Sequence, residues 1–191
     1  MTELITFARE TLPDLFAKGV EALREDGPAD ALEDVLASRG CVRFVVEGEG
    51  EVWLSVDEGA MAAHDDKPGD LPPRMAFAFS GDDARAALSL LEESGRLEER
   101  EAHVRRARSA SGRAEKLLAG QKLEFHVIIR DVPDRDDVVI RVCIGGETPP
   151  EKPQFTAAIS YDDIEDLREG DITPQQVIGR LRLTGDASRA M

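Results

Sequence analysis

From Cys41 the chain alternates apolar and polar positions with the period of a β-strand. Val42, Phe44 and Val46 face one way while Arg43 and Glu47 face the other. The Glu47-Gly48-Glu49-Gly50 turn leads into Val52, Leu54 and Val56, which completes a hairpin. A Gly-, Pro- and Asp-rich loop over residues 57–73 precedes a third strand at Met75, Phe77 and Phe79. Further on, the same period returns in Leu123, Phe125, Val127 and Ile129, in Val138, Ile140, Val142 and Ile144, in Phe155, Ala157 and Ile159, and in Leu181 and Leu183. Helical spacing holds over residues 2–25, with a break or new first turn at Pro13, and over Ala31 to Ser38. It recurs at Ala84, Ala87, Leu88 and Leu91. Ser160 with Asp162-Asp163 caps a helix carrying Ile164 and Leu167, which Gly170 stops. Thr173-Pro174 opens another that carries Val177 and Ile178 and ends at Gly179. Seven strand-like segments, each with one apolar face, predict an α+β fold with a mainly antiparallel sheet and helices packed on one face.

The pattern repeats internally. Pro73 to Asp83 reads PRMAFAFSGDD and Pro153 to Asp163 reads PQFTAAISYDD, 80 residues later, sharing the Pro, an Ala, the Ser and both Asp. Val42-x-Phe44-x-Val46 matches Leu123-x-Phe125-x-Val127 at a spacing of 81. Val52, Leu54 and Val56 match Val138, Ile140 and Val142. This predicts two related half-units: N-terminal helices over 1–40, a first half-unit with a charged helical linker over 41–120, and a second half-unit over 121–191, all in one compact domain.

The segment TPQQVIGRLRLTGD, a proline-containing helix leading into Gly179–Asp186, resembles the C-terminal half of the SCP-2 sterol carrier domain family. Ile159-Ser160 with Asp162-Asp163 resembles that family's strand-into-helix turn, and Ala190-Met191 the start of its closing helix. The resemblance is clearest over 121–191, with 41–120 as a possible diverged copy. It implies an SCP-2-like protein that binds a sterol, acyl chain or isoprenoid between sheet and helices without changing it. The expected tunnel is lined by Phe125, Val127, Ile140, Val142, Phe155, Ile159, Ile164, Leu167, Val177, Ile178, Leu181 and Leu183. Such a wall holds its ligand by burying methylenes, ~0.8 kcal/mol each, without directional contacts. The bland reading of the same residues is a closed, fully packed core.

Composition narrows the partners. Among 191 residues, 39 acidic against 24 basic side chains leave a net charge of −15. That argues against nucleic acid, which is met by a basic footprint, and against anionic membrane surfaces. No apolar run reaches the ~20 residues that span a bilayer, so stable membrane insertion is not expected. The N-terminus lacks the basic start and apolar core of a signal peptide, and Cys41 and Cys143 read as buried thiols of a reducing compartment, so a cytoplasmic protein is expected.

Chemistry is harder to find. His64, His103 and His126 are scattered, and Asp65, Asp66 and Asp70 lack an ordered calcium pattern. Phosphate-loop, nucleophile-elbow and dinucleotide motifs are absent, so no catalytic residue, metal or cofactor is expected. Arg105, Arg106, Arg108 and Arg113 form a basic concentration that Glu98, Glu99 and Glu101 neutralise. Trp53, Val45, Ile128, Val139 and Cys143 fall on the other sheet face, and a patch there fits the alternative, a ligand-free accessory, homodimerisation or protein-interaction module.

Overall fold

The computed structural model describes residues 3–93, 99, 103–104, 120, 122–169 and 171–186. The arginine concentration at 105–113, the rest of the expected helical linker at 114–119 and the closing helix expected near Ala190-Met191 lie outside them.

The chain enters through a helical N-terminus made of α1 (Glu3–Thr6), a wider π-helical turn (Phe7–Thr11) and α2 (Leu12–Asp26). Pro13 lies at the start of α2, directly after the wide turn, where the Leu12 N–H reaches back to the Phe7 carbonyl. A proline ring would strike the carbonyl four residues earlier in a regular helix, and widening the turn relieves that clash. Helix α3 (Ala29–Leu36) follows. Then come β1 (Gly40–Val46), β2 (Gly50–Asp57), β3 (Ala60–His64), β4 (Pro73–Phe79) and α4 (Gly81–Glu93). The later part runs β5 (Leu123–Arg130), β6 (Val138–Ile144), β7 (Phe155–Ser160), α5 (Tyr161–Glu169), α6 (Pro174–Arg180) and β8 (Arg182–Gly185).

All eight strands form one mixed sheet in the order β3-β2-β1-β4-β6-β5-β7-β8. The β1–β4 and β5–β7 pairs are parallel and the other five are antiparallel. Strand β3 sits inside the stretch read from sequence as a loop. Its hairpin turn is Glu58-Gly59, both with positive φ (48° and 76°), the mirror-image turn whose twist suits a two-residue hairpin.

One sheet face carries the helices. Leu4 and Ile5 of α1, Ala8 of the wide turn, and Ala84, Ala87 and Leu88 of α4 cover Val46, Val52, Leu54 and Phe79. Phe16, Val20 and Leu23 of α2 with Ala31 and Val35 of α3 close over Val56. Val104, like Leu32 and Met61, packs against that cluster and His103 is buried, so this part of the charged linker lies against the core. Ala86 and Leu90 of α4 meet Ile164 of α5 above Ile129, Val138 and Ile159.

Strand order and sense recur across the sheet. Strand β1 is antiparallel to β2 and parallel to β4; β5 is antiparallel to β6 and parallel to β7. Both β4 and β7 lead directly into a helix with the same start. Ser80 Oγ donates to Asp83 Oδ2 at 2.7 Å and accepts from the Asp83 N–H at 3.1 Å. Ser160 and Asp163 repeat both bonds at the same distances. The register differs from the sequence match by two residues. Val46 lies beside Phe79 and Ile129 beside Ile159, so matching Phe79 with Ile159 pairs Val46 with Ile129, 83 positions apart rather than 81. A slide of two leaves every side chain on its original face.

Candidate functional site

The apolar face of β5, β6 and β7 bears Leu123, Phe125, Val127, Ile129, Val138, Ile140, Val142, Ile144, Phe155, Ala157 and Ile159, with no polar side chain among them. Register sets Val52, Phe44, Phe77, Val142, Phe125 and Phe155 side by side across six strands. At ~4.8 Å between strands this row runs roughly 24 Å. Phe44 stacks on Phe77 (centroids 5.1 Å apart, 22° between planes) and Phe125 on Phe155 (5.0 Å, 7°). Four of the chain's seven phenylalanines therefore lie in one line. Phe44 and Phe77 were legible as strand residues but not as neighbours of Phe125, because adjacency of β4 and β6 is a tertiary fact.

The expected lining residues divide into three groups. Val142 and Phe155 are buried, Phe125 is half-buried beside them, and Val127 and Ile140 pair in the next row. Ile159 and Ile164 join Ile129 and Val138 beneath α4, and Leu167 is half-buried on α5. Val177 and Leu181 are half-buried, but Ile178 is 68% exposed and Leu183, on the edge strand beside Ala157, is 43% exposed. Helix α6 packs chiefly on α5 rather than on the sheet. It is fixed by a capping box between Thr173 and Gln176 and by Arg180, whose guanidinium meets Asp163 at 2.5 Å and Asp166 at 3.2 Å.

One corner of the face differs in its cover. Leu123, Phe155 and Ala157, with Phe125 and Ile144 against them, form an apolar cluster that among the described residues consists of strand residues alone. Each other apolar cluster contains helix residues.

The opposite face mixes polar and apolar side chains and is met by the chain's own loops. Trp53 is buried, donates to Glu51 at 3.0 Å, and lies under the Arg43 guanidinium, 5.4 Å from the ring centre. Burial works against the Glu51 carboxylate, but hydrogen bonds from Arg43 and Trp53 outweigh it and hold its pKa below the ordinary value. Arg43 donates to the Glu147 carbonyl at 3.0 Å, His126 meets the Pro150 carbonyl at 3.0 Å, and Lys67 pairs with Glu147 at 3.0 Å. Trp53 and Cys143 are thus enclosed within the chain, while Val45, Ile128 and Val139 stay half-buried. Burial pushes the thiol pKa of both Cys41 and Cys143 up.

Ser55 Oγ lies 2.9 Å from His64 Nε2. A nucleophile–base pair also needs a group that orients the imidazole. Among the described residues none bonds the other ring nitrogen, and the Ser55 hydroxyl has the Ala62 carbonyl at 3.4 Å. The pair reads as a cross-strand tie. Among the described residues, no group of His, Cys, Asp and Glu could hold a metal ion, and no helix is long and apolar enough to cross a membrane. The chain matches no protein-family model, no curated protein and no solved structure.

Proposed function

We propose that this protein is a cytoplasmic, non-catalytic carrier of a lipid or other hydrophobic small molecule (sterol, acyl chain or isoprenoid), held on the apolar sheet face of its second half. The observation that carries the reading is the cluster around Phe125 and Phe155, which among the described residues consists of strand residues alone, with the two rings stacked 5.0 Å apart. An uncharged floor rewards chain length and leaves the head group unread. Entry is by movement of α5 and α6 away from the sheet; the largely exposed α6 holds few apolar contacts to break. The fold is SCP-2-like and built from two related half-units, a reading supported by the recurring strand sense and the identical Ser-x-x-Asp helix starts.

The test is titration of purified protein with a fluorescent fatty-acyl probe, alongside native mass spectrometry. Saturable binding and co-purified lipid are expected for the native chain. Ile140→Asp, which sets a charge in the floor, should reduce probe affinity by at least tenfold while the far-UV spectrum is retained. A ligand-free, stable dimer that ignores the probe would instead establish the interaction-module alternative.

A further inference from the structure

The correspondence between the halves extends to one pair of positions on the polar face, where the chemistry changes. In the first half, Glu47 follows β1, Arg141 stands on β6, and Ala78 of β4 lies between them, in register with Arg141. The two long side chains meet over that small residue as an ion pair. In the second half the register places Arg130 where Glu47 stands, Arg182 where Arg141 stands, and Ala158 where Ala78 stands. Two arginines thus face each other across an alanine in the position of an arginine and a glutamate. Among the described residues, neither the Arg130 nor the Arg182 side chain makes a hydrogen bond or ion pair. Between them lies a cleft of about 540 Å³, whose lining also includes Ala158, Ser160 and Asp131.

We propose that this cleft binds a small phosphate-type dianion, in the place where the first half supplies the Glu47 carboxylate. The meeting of Glu47 and Arg141 shows that side chains from these two positions reach one another over the intervening alanine. Two guanidinium forks from the same positions converge on a tetrahedral oxyanion, each able to donate two parallel N–H bonds. The other charged groups do not close the site. Asp163 has one oxygen on Arg180 and the other on Ser160. Asp131 stands at the rim, exposed, with a φ of 57° that turns the chain away after β5. The molecule carries a net charge of −15, yet among the described residues no carboxylate pairs with either of these two arginines. Arg130, Ala158 and Arg182 stand on the sheet face opposite the apolar floor, while Ile159, Asp163 and Arg180 also line the cleft, and titration with phosphate in the absence of acyl probe tests it separately from lipid binding.

Inorganic phosphate is titrated calorimetrically into the full chain in low-salt buffer, with acetate as the monoanion and phenyl phosphate as a phosphomonoester. One phosphate per chain is expected, with acetate at least tenfold weaker. Tighter binding of phenyl phosphate than of phosphate identifies a phosphorylated small molecule as the ligand class; equal binding identifies the free ion, and either supports the site. Arg182→Ala and Arg130→Glu should each weaken phosphate by at least tenfold. Arg130→Glu also rebuilds the first-half ion pair and should melt no lower than the native chain, which separates lost binding from lost fold. Glu47→Arg should raise the stoichiometry from one phosphate to two. No saturable phosphate binding would overturn the inference, as would equal loss of affinity in Arg24→Ala, an exposed position on α2 far in sequence from the cleft.

Discussion

At the scale of single residues, the helix starts show how local chemistry is written into four positions. Ser160 and Asp163 satisfy each other and the first turn of α5, and Arg180 arrives from α6 to complete the arrangement. The hydrogen bond from Arg180, then that from Ser160, holds the Asp163 carboxyl below the ordinary aspartate value. A depressed folded pKa contributes stability that is present above the unfolded value, about 4, and lost as pH falls through the folded one. Asp163→Asn keeps a capping oxygen but removes the charge. The melting temperature of the native chain should therefore exceed that of the variant near pH 7, and the gap should shrink below pH ~4 and close at lower pH. A gap that stays constant from neutral to acid would mean that the charge contributes nothing. The Ser-Asp caps were readable in the sequence because the two residues lie three apart, whereas Arg180, 17 residues from Asp163, was not. Arg130 and Arg182 were not, since each looks like an ordinary outward-facing strand residue until β7 and β8 are placed side by side.

At the scale of elements, the strands with strong alternation were legible and the one without it was not. Ala60-Met61-Ala62-Ala63 offers little contrast between faces, and the Gly- and Asp-rich surroundings read as loop. Strand β3 is held by its turn more than by its side chains. Gly59 has φ 76°, and a Cβ there would lie 2.6 Å from Leu36 Cδ2. Gly59→Ala should cost about 1–2 kcal/mol from the left-handed backbone alone, with the flexible Leu36 end absorbing part of the contact. Glu58, also left-handed at φ 48°, should tolerate Asn with a gain of roughly 0.5 kcal/mol, because Asn adopts that region more readily. Urea midpoints of the two variants, shifted in opposite directions, check this; a neutral Gly59→Ala would show that the turn does not hold the edge. Apolar content was a poorer guide at the other edge. Val177 and Ile178 adjoin in a helix of seven residues, and only a face-by-face view reveals that Ile178 points outward.

At the scale of the whole molecule, the two ends of the sheet are joined by a continuous ladder and a shared helix. The β4–β6 ladder continues the sheet from Met75–Ala78 to Arg141–Ile144. Helix α4 belongs by sequence to the first half, yet it divides its apolar surface. Ala84, Ala87 and Leu88 pack with the α1 residues over Val46 and Phe79, while Ala86 and Leu90 pack over Ile129 and Val138 of the second half. Loosening the second half therefore strips one side of a helix that the first half needs. Trp53, the single tryptophan, reports on β2 at the far side of the sheet. Ile129→Ala removes a buried side chain beneath α4 in the second half and should cost about 2–5 kcal/mol. With one cooperative core, the urea midpoint seen by Trp53 fluorescence should fall by the same amount as the midpoint seen by far-UV circular dichroism. A Trp53 transition that stays in place while the dichroism signal moves would mean that the first half folds without the second, and that the shared helix does not transmit the loss.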